Sequence, residues 1–217
     1  MGQRHQLSIK APASVLQYTP GERKPDTLMS AWHNQWLYGT LPIKTLKRLL
    51  YFDHNNTSNS KWEGSTINEP DGMVKFKNTV KAIMEFDYDD QKFSKFHDEG
   101  DYLIKDYRAG DNNDGLTFLV FTDGRKPRYG FMTGSETGGN SMEKGHIVSV
   151  REYFSAYYPD VGALNLKQQE EATALFDYIE NRADLLSDLE IPALFPEMKK
   201  KPEPWPDEPG IDNSKPF

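Results

Sequence analysis

The sequence contains no cysteine, so a disulfide framework, thiolate zinc sites, iron–sulfur clusters and cysteine nucleophiles are excluded together. It also lacks any run approaching the roughly 20 apolar residues of a membrane-spanning helix. The first ten residues carry Arg4, His5 and Lys10 without an apolar block, which predicts no secretory signal. Basic charge is in deficit: 26 Lys and Arg stand against 33 Asp and Glu, a formal net charge of −7. That balance repels phosphate backbones, whereas nucleic-acid binders gather Lys and Arg on one face. Two small basic groups, Lys44/Lys47/Arg48 and Lys199/Lys200/Lys201, read as solvated surface. The expectation is a cytoplasmic protein, or a virion component if viral, with no membrane contact and no affinity for nucleic acid.

Several catalytic and cofactor signatures are missing too. The glycine-rich stretch Gly134–Asn140 has no Lys-Ser/Thr ending for a P-loop and no strand-to-helix setting for a dinucleotide, so no cofactor is expected. Ser135 stands one residue out of the Gly-x-Ser-x-Gly pattern of a nucleophile elbow. Loss of Met1 would expose Gly2, which has no side-chain nucleophile. Asp111–Gly115 superficially resembles a calcium loop. With Gly115 at the sixth position, however, Gly110 falls where an acidic ligand belongs and Phe121 where a bidentate Glu belongs. The five histidines, His5, His33, His54, His97 and His146, include no local pair at metal-ligand spacing, and no metal site is expected.

What the chain does carry is aromatic residues, at 12%, more than a solvated disordered chain would hold. Gln6–Lys10 alternates polar and apolar, which predicts a half-buried strand. Further strands are predicted near 28–38, 102–107, 116–122 and 128–133. Leu116–Thr122 is near-continuously apolar and β-branched, as for a strand buried on both faces, and Asp123-Gly124 signals the hairpin after it. Helices are predicted near 42–52, 72–85, 150–157 and 166–187 from apolar stripes at three- and four-residue spacing. Asp71 is a candidate cap, and Ser149/Glu152 and Asn165/Gln168 have capping-box spacing. The fold expected is a single α+β domain over 1–191, a mainly antiparallel sheet covered by about four helices. Residues 192–217 hold seven prolines and predict an extended proline-rich tail that Trp205 would anchor.

The strings Met1-Gly2-Gln3-Arg4-His5-Gln6 and His33-Asn34-Gln35-Trp36-Leu37-Tyr38-Gly39 resemble a scattered group of uncharacterised proteins over about the first 50 residues. The resemblance implies no activity. Physically, Arg4, His5, His33, Gln35 and Tyr38 are polar residues on strands otherwise fit for a core, and such groups need partners when buried. Two functions are therefore weighed. The first is a non-catalytic binding or assembly protein, such as an accessory or structural protein of a virus or mobile element. It would use Arg4, Gln35, Tyr38 and Trp205 for binding and its tail to reach a protein partner or a second copy. The second is a hydrolase-like enzyme with a pocket of His5, His33, Asp111 and Asp114, a histidine serving as general base.

Overall fold

A computed structural model of the chain describes residues 4–18, 20–35, 39–56, 71–87, 92–93, 98–101, 115–132, 146–158 and 164–196. Its frame is a sheet of six described strands, β1 (Arg4–Pro12), β2 (Thr27–Gln35), β5 (Asp98–Asp101), β6 (Leu116–Val120), β7 (Arg128–Met132) and β8 (Asp184–Leu185), in the order β5-β2-β1-β6-β7-β8. A separate two-stranded ribbon pairs β3 (Phe86–Asp87) with β4 (Lys92–Phe93). The helices are α1 (Leu41–Asn56), α2 (Gly72–Glu85), α3 (Val150–Tyr157), α4 (Leu166–Arg182) and the short α5 (Ile191–Leu194). This is the single α+β domain expected, and no helix among the described residues is long and apolar enough to cross a membrane.

The sheet is mixed. β1 pairs antiparallel with β2 but parallel with β6, and β7 pairs antiparallel with β6 but parallel with β8. The parallel β1–β6 pair is possible because α1, α2 and the β5 edge lie between β2 and β6 in sequence, long enough for a crossover. On one face of β1 the register lines up Leu7, Ile9 and Ala11 with Leu28 and Trp32 of β2, Leu119 of β6 and Tyr129 and Phe131 of β7. α1, α2, α3 and α4 cover that face with Ile43, Leu46, Phe76, Val80, Tyr153, Phe154, Phe176 and Ile179.

Strand β1 departs from its half-buried prediction. Gln6 and Ser8, on the polar face of the alternation, are buried as well. The reason is a second, smaller core on that side, where Phe118, Val120, Met132 and Ala31 meet Leu186, Ile191 and Phe195. Phe195 is fully buried and packs against Phe118 with ring centroids 5.2 Å apart. The Lys10 ammonium donates to the Leu194 carbonyl at 2.6 Å, so a strand lysine closes the end of α5. The segment expected to leave the domain after 191 thus opens as part of it. Pro192 falls in the first turn of α5, where a missing N–H costs nothing. Residues 197–217, with Lys199–Lys201 and Trp205, lie outside the described residues, as do 102–107.

The helix expected over 166–187 ends at Arg182. Ala183 turns to extended backbone (φ −138°), the Asp184 amide donates to Pro127 O at 2.9 Å and the Leu186 amide to Tyr129 O at 2.7 Å. Ala183 and Leu186 are buried as their spacing suggested, but they flank the short strand β8, which extends the sheet. The local signals elsewhere act as read. Asp71 accepts from the Met73 amide at 2.8 Å, and both capping boxes are closed in both directions. At the start of α2, Gly72 lies so close to Tyr18 and Arg23 O that a Cβ would come within 2.5 Å of the Tyr18 ring. Lys75 anchors the same loop, donating to Gln17 O at 2.8 Å and pairing with Glu22 at 3.2 Å.

The second core makes a direct demand on Phe195. Phe195→Ala is expected to cost about 3–5 kcal/mol, the usual range for emptying a buried aromatic site, in urea denaturation of the full chain. A change below about 0.5 kcal/mol, as at a surface position, would place this segment outside the folding unit.

Candidate functional site

His5 is fully buried near the start of β1. Its Nε2 lies 2.6 Å from Thr117 Oγ1 on β6, and its Nδ1 lies 3.4 Å from the Tyr153 hydroxyl on α3. The parallel register brings this about: Leu7 pairs with Thr117, and His5, two residues back, shares their face. Tyr153 comes down from the helix layer, its ring stacked on Phe131 with centroids 4.5 Å apart. Both named partners are hydroxyls, which donate or accept as required. Through these two contacts the ring ties strand to strand and strand to helix.

Of the other sequence-predicted residues on these strands, His33 is separated from it by the register. His33 pairs with Gln6 while Asn34 pairs with His5, so the two histidines occupy register positions on opposite faces of the sheet. Arg4 pairs with Gln35 at the end of the same ladder. Asp111, Asp114, Tyr38, Trp205 and His97 lie outside the described residues. His54 is exposed on α1, and His146 is 80% exposed, with Nδ1 3.1 Å from Asp188. Among the described residues no group of three or more His, Asp or Glu could hold a metal ion.

A concave feature among the described residues lies elsewhere, where α3 ends against the start of α1 and the first half of α4. It is a cleft of about 240 Å³. Its floor is apolar: Phe154 stacks on Tyr158 with centroids 4.6 Å apart, and Leu164, Ala172 and Leu175 complete it. Thr40, Lys44, Gln168 and Glu171 form the polar margin. Gly39 (φ 60°) lets the chain turn into α1 here, and a Cβ on it would lie 2.8 Å from the Tyr158 hydroxyl. The basic group read as solvated is divided by this geometry. Arg48 donates to Met84 O at 2.9 Å, Lys47 sits 5.8 Å from the Tyr178 ring centroid, and Lys44 faces the cleft.

Sequence reasoning did not find this cleft. Phe154 read as a helix stripe, Gln168 as a cap and Lys44 as surface charge, each correctly as far as it went. The available signal was the break Tyr157-Tyr158-Pro159-Asp160-Val161-Gly162 between two capped helices, where a short helix ends before its longer neighbour begins. No protein-family model, curated protein or solved structure matches the chain.

Electrostatics around the helix layer serve the fold. Arg151 of α3 clamps α4, meeting Asp177 at 2.5 Å and Glu180 at 2.9 Å, and those hydrogen bonds raise its pKa. Burial raises the Tyr129 pKa, and its hydroxyl accepts from the Val150 amide at 3.4 Å. The Glu152 carboxyl is held below its ordinary value by hydrogen bonds from the Ser149 amide and then its hydroxyl. The Asp188 carboxyl is lowered first by the Ile147 amide and then by His146.

Two outcomes follow. Thr117→Val removes a hydroxyl from a fully buried ring nitrogen and is expected to cost about 1–3 kcal/mol in urea denaturation. A neutral result would mean that His5 is satisfied without it. For the carboxyls, a folded pKa below the unfolded one stabilises above the unfolded value, and this stability is lost as pH falls through the folded value. The ordinary values are 4.5 for Glu152 and 3.8 for Asp188. Denaturant titrations below pH 4.5 should therefore lose stability less steeply in Glu152→Gln and Asp188→Asn than in the parent, and an unchanged acid slope would refute the assignment.

Proposed function

We propose that the chain is a non-catalytic binding or assembly protein that works through the face formed by the starts of α1 and α4 and the end of α3. The observation that carries this reading is the contrast between its two polar sites. The histidine best placed to be a general base is sealed in the core on hydroxyl partners, whereas a base must reach a substrate proton. The surface concavity is floored by aromatic and aliphatic side chains, the composition of a contact site. Leu41 and Leu166, 43% and 77% exposed, open the two helices whose first turns bound that cleft. Exposed apolar residues gathered beside a cleft suit capture of a protein surface, here a second copy of the chain.

Sedimentation velocity across the micromolar range tests this. The full chain is expected to self-associate with rising concentration, and Leu41→Ser combined with Leu166→Ser to weaken the association about tenfold, equivalent to about 1.4 kcal/mol. A truncated chain ending at Pro196 preserves Phe195 in the core and reads the share contributed by residues 197–217. A strictly monomeric full chain throughout that range would overturn the assembly reading.

A further inference from the structure

We infer that the cleft between α1, α3 and α4 is a binding site for a small aromatic carboxylate. This deepens the reading of that face as a binding surface and rests on it. Size comes first: about 240 Å³ is below the roughly 300–1,000 Å³ of pockets that enclose drug-sized molecules. It accommodates one ring with a short acidic arm and is too small for a length of peptide chain. The floor sets the shape. The Phe154–Tyr158 stack presents π surface beside Leu175 and Ala172, and an aromatic ring buries well against such a wall in offset or edge geometry.

Charge then selects the acid. Four polar side chains border the cleft, and three of them donate: the Lys44 ammonium, the Thr40 hydroxyl and the Gln168 amide. Gln168 uses its oxygen to accept from the Asn165 amide at 3.1 Å, which leaves its NH₂ group as the part able to serve a ligand. Glu171 is the one carboxylate, and it has a cation of its own, Lys167 one turn back at 3.8 Å. No carboxylate among the described residues pairs with Lys44. A ligand carboxylate supplies the missing partner through a charge-assisted hydrogen bond at the edge of an apolar floor, where screening by water is reduced.

The experiment is a titration followed by amide chemical shifts with three probes that share a ring and differ in the terminal group: 3-phenylpropionate, 3-phenylpropan-1-ol and 2-phenylethylamine. The acid is expected to bind at least tenfold more tightly than the alcohol, with the amine weakest. Shifts should centre on Thr40, Lys44, Tyr158, Gln168 and Ala172. Lys44→Gln, a change at an exposed position that does not threaten folding, should bring the acid to the alcohol's affinity and leave the alcohol unchanged. Ala172→Trp should fill the floor and abolish both. An acid that binds no better than the alcohol, a preference that survives Lys44→Gln, or no response to any probe would each overturn the inference. Sedimentation of the same variants separates the two readings. Self-association that persists while the acid fails to bind rejects the ligand and keeps the assembly face.

Discussion

Strand β1 has neighbours on both edges and packing on both faces, and the remaining architecture follows from satisfying it. Its antiparallel partner β2 and parallel partner β6 take up the ladder hydrogen bonds on the two sides, as a buried backbone demands. Its apolar face recruits four helices. Its polar face, which water would otherwise solvate, is closed by the segment from Leu186 to Phe195. Two ionisable side chains along it are tied off accordingly, His5 to hydroxyls on β6 and α3 and Lys10 to the carbonyl that ends α5. Each bond contributes only about 0.5–1.5 kcal/mol net. Leaving either group unpaired in that position would cost more, so these contacts fix the register as much as they add stability.

The helix layer inherits its shape from unequal lengths. α3 has 8 residues and α4 has 17, so at about 1.5 Å per residue the longer helix overruns the shorter by more than two turns. Phe131, Tyr153 and Tyr157 run from the sheet up through α3 as a chain of ring contacts. Where α3 stops, Tyr158 continues the aromatic surface, with the start of α1 and the flank of α4 beside it among the described residues. The cleft is a consequence of this mismatch, and its polar margin comes from first-turn residues. The Arg151 clamp on Asp177 and Glu180, about three to four turns along α4, keeps the pair from splaying further.

Local chemistry in the sequence was legible wherever one residue type had one physical use. Ser149 with Glu152 and Asn165 with Gln168 start helices because only capping satisfies those amides at that spacing. Asp123-Gly124 turns the β6–β7 hairpin, with Gly124 at φ 62°. Legibility failed where two periods coincide over a short span. Ala183 and Leu186 continue the three-residue rhythm of α4, yet a strand also buries residues that close together when they serve different faces. Leu194 and Phe195, spaced three and four residues from Ile191, show the converse. They have helical spacing, but the prolines around them suggested a tail, and it took the exposed second face of the sheet to draw them in.

The candidate site was less legible than the fold for a related reason. A histidine on an apolar strand has the same sequence signature whether it serves catalysis or cohesion, because both uses require burial and partners. The identity of those partners decides between them, and it is set by residues 112 and 148 positions away. A carboxylate at Nδ1 would orient the ring and stabilise its charged form for proton transfer. The hydroxyls of Thr117 and Tyr153 instead use the ring to join β1 to β6 and to α3. Lys44 presents the opposite case: an exposed residue, ordinary in sequence, whose meaning depends on the aromatic floor that α3 and α4 place beside it.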